Sequence, residues 1–147
     1  MTAFTDEVVI EKPLEEVFAF TTNIDNFKKV MPNVVQVETI TEGAFGVGTK
    51  IKETREIKGR KGTTTIEVID FVPSERYSVR SALEGLETIY HYSFHEDEKQ
   101  TTTIKFECEI NTSTLKMKMI KPIFKRTLQR EDKEHLSLIK KALEESE

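Results

Sequence analysis

Between positions 102 and 110 the chain alternates without interruption. Thr102, Ile104, Phe106, Cys108 and Ile110 fall on one side, and Thr103, Lys105, Glu107 and Glu109 on the other. Successive side chains of a strand point to opposite faces, so this segment reads as a strand with one dry and one wet face. Such a strand needs neighbours for its backbone groups and an apolar layer over its dry side. From residue 34 to about 111, further segments of the same period are separated by turn signals at Glu42-Gly43, Gly59-Arg60-Lys61-Gly62, Pro73-Ser74-Glu75, Glu84-Gly85 and Glu96-Asp97-Glu98-Lys99. Connections this short predict a six-stranded antiparallel meander. Its dry side is marked by Val47, Ile51 and Ile57, by Tyr77, Val79 and Leu83, and by Tyr90, Tyr92 and Phe94.

Both flanks change period. A first short strand covers Phe4-Thr5-Asp6-Glu7-Val8-Val9-Ile10-Glu11 and stops at Lys12-Pro13. Proline suits the first turn of a helix, and Leu14, Val17, Phe18 and Thr21 then recur at helical spacing, with Glu15 and Glu16 where the helix dipole favours acids. A second short helix is expected over residues 24–30, with Asn23 or Asp25 as cap and Pro32 as stop. At the other end Ile120, Phe124, Leu128, Glu131, His135, Leu138 and Ala142 follow steps of four and three, widened by Ile123, Ile139 and Leu143. That is one long amphipathic helix, which Pro122 either opens or kinks. The economical packing is an α+β fold: a curved seven-stranded antiparallel sheet wrapped around the long C-terminal helix, with two short helices after strand 1. A single helix fills such a cupped sheet poorly, so a cavity is expected between them.

At 147 residues the chain is expected to be one domain, 1–147. A lone cysteine, Cys108, excludes an internal disulfide framework and a clustered-cysteine zinc site; on the dry face it reads as an inert apolar residue. The net charge of −4 argues against nucleic acid as a partner. No window approaches the roughly 20 apolar residues of a membrane-spanning helix, and no targeting signal is visible, so a cytoplasmic location is expected. The stretch Gly43-Ala44-Phe45-Gly46-Val47-Gly48 joins two strands rather than a strand and a helix, and Gly48-Thr49-Lys50 is the wrong ending for a phosphate loop. No cofactor is expected.

Several of these segments carry a resemblance. Val9-Ile10-Glu11-Lys12-Pro13-Leu14-Glu15-Glu16-Val17-Phe18-Ala19-Phe20 is similar to the strand, proline and helix that open START-like (SRPBCC) proteins, the helix-grip fold. Asn23-Ile24-Asp25-Asn26-Phe27-Lys28-Lys29-Val30-Met31-Pro32 resembles their second-helix motif, and Gly46-Val47-Gly48-Thr49 their glycine turn. Ile69-Asp70-Phe71-Val72-Pro73-Ser74-Glu75-Arg76-Tyr77 resembles the proline hairpin, and His135-Leu136-Ser137-Leu138-Ile139-Lys140-Lys141-Ala142-Leu143-Glu144 the terminal helix. The likeness spans essentially the whole chain and points to the polyketide cyclase/dehydrase-like branch. It implies a hydrophobic ligand cavity between sheet and helix, in which members carry lipids, sterols, hormones or polyketides. A minority catalyse aldol cyclisation or dehydration there. It supplies no universal catalytic signature, so catalytic residues stay unknown, and fold alone does not decide function.

The residues offer candidates of their own. Period-two alternation from Ile51 puts Glu53 and Arg55 on the inner face, roughly 7 Å apart at their backbones. Inward charges must meet each other, water or a ligand. They form an ion pair at the sheet rim, or Arg55 anchors a carboxylate, phosphate or enolate oxygen; a register slip would expose both. Glu131 and His135 lie four apart on the helix, as a satisfied polar contact or as a carboxylate-held general base. That pair lacks the second histidine of a zinc-protease helix. His91 and His95 stand roughly 13 Å apart along a strand, too far to share a metal, and read as solvated. Phe106, Phe124, Leu128, Tyr77 and Tyr92 supply apolar wall in this reading, with Tyr77, Tyr90 and Tyr92 also offering hydroxyls. The leading expectation is a binding or transport protein for a small hydrophobic or amphipathic molecule. Its rival is a cyclase/dehydrase-type enzyme with Glu131-His135 or Glu53 as base and Arg55 steadying an enolate.

The charge layout of the last segment is the remaining signal. Lys116, Lys118, Lys121, Lys125, Arg126 and Arg130 occur with no acid among them, interleaved with Met117, Met119, Ile120, Ile123 and Phe124. The first reading is a solvated helix face; the alternative is an interfacial element, with residues 116–130 making a peripheral contact with an anionic membrane or steering an anionic ligand to the cavity mouth.

Overall fold

The structure, a computed structural model, describes residues 2–57, 59–83 and 85–145. Among them seven strands, β1 (Thr2–Ile10), β2 (Val34–Thr39), β3 (Lys50–Ile57), β4 (Arg60–Val72), β5 (Arg76–Leu83), β6 (Leu86–Glu96) and β7 (Thr102–Thr112), form one antiparallel sheet in the order β1-β7-β6-β5-β4-β3-β2. From β3 to β7 each strand lies beside its predecessor, as the short connections require, and β1 pairs with β7 through Ile10↔Thr102 to Phe4↔Cys108. Register shifts occur between Thr2 and Phe4, Val34 and Gln36, and Val68 and Asp70. An extra residue on one strand bends it and increases its twist, which helps the sheet cup.

Alternation sets which face is covered. Thr102, Ile104, Phe106, Cys108 and Ile110 are all buried, and so are Thr49, just before β3, and Ile51 and Glu53 within it. Val47 departs from expectation: it is 68% exposed, in the turn that Thr49 N–H closes on the Gly46 carbonyl at 3.0 Å. Strand periodicity does not extend into a turn, so spacing from Ile51 misplaces it. The inward orientation expected of Ile57 and Leu83 lies outside the described side chains, as does Glu84 of the Glu84-Gly85 turn. Gly85 itself has φ +88°, and a Cβ there would stand 3.1 Å from both Ser113 Oγ and Thr114 Cγ2. The β5–β6 turn therefore needs glycine on both conformational and steric grounds.

Helix α1 (Leu14–Thr21) follows Pro13, whose φ of −63° prepares the helical entry, and buries Val17, Phe18 and Thr21. The second short helix is a single 3₁₀ turn, Ile24–Asn26, running into α2 (Phe27–Val30); Asn23 caps it by accepting from Asp25 N–H at 3.0 Å. The C-terminal helix spans 30 residues with an irregularity. Its first segment, α3 (Leu115–Asp132), is capped by Thr114, which accepts from Met117 N–H at 3.1 Å; its second is α4 (His135–Glu144). Lys133 and Glu134 between them keep right-handed helical dihedrals. Pro122 lies inside α3, well after its start, so it does not open the helix. Helix α4 packs on β1, α1 and α2, and Leu136, Ile139 and Leu143 join Ile10, Val17 and Ile104 in the core. Ile123, expected to widen the buried stripe, is instead 67% exposed.

Candidate functional site

The inward side chains of β4, β5 and β6 are unequal in size along the strands. At one end Tyr77, Tyr92 and Phe94 fill the space: Tyr77 stacks on Tyr92 with ring centroids 4.7 Å apart, and Phe18 packs edge-on to Phe94 at 5.1 Å. Toward the other end the inward positions hold Thr64, Ser81 and Thr88, which are too short to reach the helix. The result is a cavity of about 420 Å3 between the sheet and α3. That is within the roughly 300–1,000 Å3 usual for small-molecule sites. Val30 and Met31 close one side, Phe124 and Leu128 of α3 the roof, and Arg60, Lys61 and Gly62 of the β3–β4 hairpin one rim.

A group of charges interrupts this lining. Arg55 Nε donates to Glu53 Oε1 at 2.7 Å, Nη1 to Asp132 Oδ1 at 3.4 Å, and Nη2 faces the Met31 sulfur at 3.3 Å. The guanidinium also stands over the Tyr90 ring, 5.9 Å from its centroid, and the Tyr90 hydroxyl donates to Asp132 Oδ2. Two buried carboxylates thus share one guanidinium. Burial lifts the Asp132 carboxyl above its ordinary range, while Arg55 and the Tyr90 hydrogen bond pull the other way. Beside this group, His135 Nδ1 lies 2.9 Å from the Val30 carbonyl and Nε2 lies 2.7 Å from the Tyr92 hydroxyl. A carbonyl only accepts, so Nδ1 carries the proton. Burial lowers the His135 pKa to about 4, so the ring is neutral at pH 7 and its bare Nε2 accepts from Tyr92.

Of the residues expected from sequence, Glu53, Arg55, Tyr77, Tyr92, Phe124, Leu128 and His135 all line this cavity. Phe106 does not: it sits behind the wall, its ring 5.1 Å from both Tyr90 and Tyr92 and 6.1 Å from Phe4. Strand β7 lies one place nearer the edge of the sheet, and there the His135 ring stands against Phe106, 5.8 Å between centroids. The Glu131–His135 pair is also not formed. Glu131 accepts from the Asn33 amide instead, while both ring nitrogens of His135 are taken by the Val30 carbonyl and the Tyr92 hydroxyl. Sequence reasoning missed Asp132. The signal is present, since Phe124, Leu128 and Asp132 are spaced by fours, but a step of three from Leu128 selects Glu131 in its place. On the outer face His91 is held by Ser78 at 2.7 Å and Glu109 at 2.9 Å, hydrogen-bonded rather than simply solvated, while His95 is exposed. Burial pushes the Cys108 thiol up to about 12, which keeps it protonated and unreactive. Among the described residues no group of three or more His, Cys, Asp or Glu side chains gathers as metal ligands, and no helix is long and apolar enough to cross a membrane.

With fold and cavity in place, the likeness to known proteins becomes specific. The backbone superposes on a Thermus thermophilus protein, TTHA0849, with a TM-score of 0.77 at 14% identity, covering 97% of this chain and 98% of that one. The di-domain ARO/CYC StfQ of the steffimycin biosynthetic pathway gives 0.77 at 13% identity, over 97% of this chain and 50% of StfQ. A norcoclaurine synthase point mutant from Thalictrum flavum, in complex with a transition-state analogue, gives 0.73 at 14%, over 97% and 93%. At these identities the shared property is the helix-grip fold. Among curated proteins, none is similar enough in sequence to count as a relative. Residues 1–144 match, nearly end to end, the family described as polyketide cyclase / dehydrase and lipid transport, and this chain belongs to it.

Proposed function

We propose that the protein binds a small, mostly apolar molecule in the cavity between the sheet and α3, holding or carrying it. The observation behind this reading is a hollow of about 420 Å3 with a mostly apolar lining, whose inward charges Glu53 and Arg55 are paired with each other. Apolar ligand surface taken from water contributes about 25 cal/mol per Å2, and a few fixed polar groups then orient the molecule. Tyr77, Phe124 and Leu128 are its wall in this proposal, and Glu53, Arg55, Tyr92 and His135 its polar end. Arg55 is not a free anion anchor, because Nε and Nη1 already serve Glu53 and Asp132. A ligand carboxylate or phosphate would add a third negative charge beside two carboxylates. The preferred polar end is therefore a neutral carbonyl or hydroxyl. A cytoplasmic site of action belongs to the same proposal, given the unpaired thiol of Cys108.

Native mass spectrometry of gently purified protein tests this directly, with a retained organic mass as the expected result. A second arm uses the neutral probe N-phenyl-1-naphthylamine: a long-chain alcohol should displace it at lower concentration than the fatty acid of equal length. Absence of both a retained molecule and probe binding would overturn the reading.

The Tyr92–His135 pair favours a second reading, cyclase/dehydrase-type proton transfer in the same cavity. It is the weaker of the two. An imidazole with a pKa of about 4 is a poor base near neutrality, and its free lone pair is already engaged by Tyr92. Turnover of a polyketide-like substrate that is lost in His135→Gln and kept in Glu131→Gln would promote it.

A further inference from the structure

The first half of α3 carries a surface that the fold does not use. Leu115, Met119 and Ile123 follow one another at steps of four, so they form a single row along the helix. They are 76%, 73% and 67% exposed. Burying such side chains is favourable elsewhere in a protein, so a contiguous row left in water asks for an explanation.

The charges around it narrow the choice of occupant. Lys116, Lys118, Lys125, Arg126 and Arg130 are all exposed, and no Asp or Glu occurs from residue 113 to 130, in a chain whose net charge is −4. None of these cations is ion-paired among the described residues. At 100° per residue, Lys116 falls to one side of the apolar row and Lys118 and Lys125 to the other, while Arg126 and Arg130 continue its line. Long basic side chains flanking an apolar row can lay their stems along an acyl surface while their heads meet phosphate. The opposite side of the same helix carries Phe124 and Leu128, which roof the cavity, and Arg60 and Lys61 at its rim have the same sign.

We infer that this outer face of α3 docks on an anionic lipid bilayer, with Leu115, Met119 and Ile123 entering the headgroup–acyl boundary and the flanking cations pairing with acidic headgroups. Docking places the roof of the cavity next to the membrane, with Phe124 and Leu128 on the side of α3 turned toward the sheet. The docking itself does not depend on what the cavity holds.

Co-sedimentation of the full chain with phosphatidylcholine vesicles, with and without about one third phosphatidylglycerol, tests the inference. Binding is expected to the anionic vesicles only, and to fall by about tenfold or more between about 0.05 M and about 0.5 M salt as headgroup attraction is screened. The triple variant Leu115→Ser, Met119→Ser, Ile123→Ser should lose about tenfold or more in partitioning, and Lys116→Glu, Lys118→Glu, Lys125→Glu should abolish it. Both variants change exposed positions, and unaltered N-phenyl-1-naphthylamine binding separates loss of docking from loss of the cavity. No binding to anionic vesicles at low salt, or equal binding to neutral ones, sinks the inference. So does sedimentation showing a dimer that the triple serine variant dissolves, since the apolar row would then belong to a second copy.

Discussion

The ten residues of α4 bury four side chains, His135, Leu136, Ile139 and Leu143, whereas the eighteen of α3 bury two, Leu128 and Asp132, both in its second half. Helix α4 is clasped by β1, α1 and α2, while the main neighbour of α3 is the end of β7. One continuous helix therefore has a gripped end and an overhanging end. The gripped end fixes the fold. The overhanging end is held far enough from Thr64, Ser81 and Thr88 to leave a cavity beneath it and an apolar row above it. Function in this chain is expected where packing is least complete, and stability where it is most complete.

The contrast is most open to refutation at Leu136, which is 1% exposed. Leu136→Ala should cost about 2–5 kcal/mol through lost burial and a residual void, read as a lowered urea midpoint at unchanged slope. The boundary between the two segments is next. Arg55→Met removes the guanidinium shared by Glu53 and Asp132 and leaves two buried carboxylates without compensation. A loss of about 3 kcal/mol or more is expected at pH 7, partly recovered as pH falls, since protonating either carboxylate relieves the other. Equal loss at pH 7 and pH 5 would show that the cluster is held by something other than charge balance.

Acid stability probes the gripped end by another route. Unfolded His135 takes a proton below about 6.5, but the folded ring does so only near 4, because burial opposes the charge. Between those values the unfolded state binds the extra proton. Stability contributed by the neutral ring is complete above about 6.5 and is lost as pH falls toward 4, by about 3 kcal/mol in all. Asp132 acts in the opposite sense, since its raised pKa favours the folded state as pH drops. The comparison that isolates His135 is therefore His135→Gln, which retains a donor for Val30 and an acceptor for Tyr92. Its urea midpoints should fall less steeply than wild type between pH 6.5 and 4.

The sheet was legible because strand periodicity and short turns leave little freedom. Thr102 to Ile110 could be assigned face by face, and the inward placement of Glu53 and Arg55 followed from Ile51 by counting in twos. The helix was less legible for a physical reason. Phe124, Leu128 and Asp132 form one row and Leu115, Met119 and Ile123 another, and both rows are apolar enough to be core. Which one is buried depends on where β7 delivers the chain, a property of the sheet rather than of the helix. The buried stripe runs on through Leu128, Asp132, His135, Ile139 and Leu143 in steps of four and three, so taking the step of three at Leu128 instead of at Asp132 joins Glu131 to His135 and passes over Asp132. Phe106 is buried as its strand requires yet stands outside the cavity, because alternation reports the face of a strand and not its distance from the helix. The cavity follows from the architecture, but its position depends on the short side chains of Thr64, Ser81 and Thr88.

The smallest expected effect bears on the overhanging end. Leu115→Ala and Met119→Ala, tested singly, should each change stability by no more than about 0.5 kcal/mol. Each side chain keeps some three quarters of its surface in water, so little transfer free energy is lost on truncation. Alanine is also at least as good a helix former as leucine or methionine, which offsets part of what is lost. A cost of about 2 kcal/mol or more at either position, as for a buried side chain, would mean that the row is covered in the free protein, by its own chain or by a second copy. The two ends of the helix would then both be structural, and the surface available to a bilayer would shrink to the cations alone.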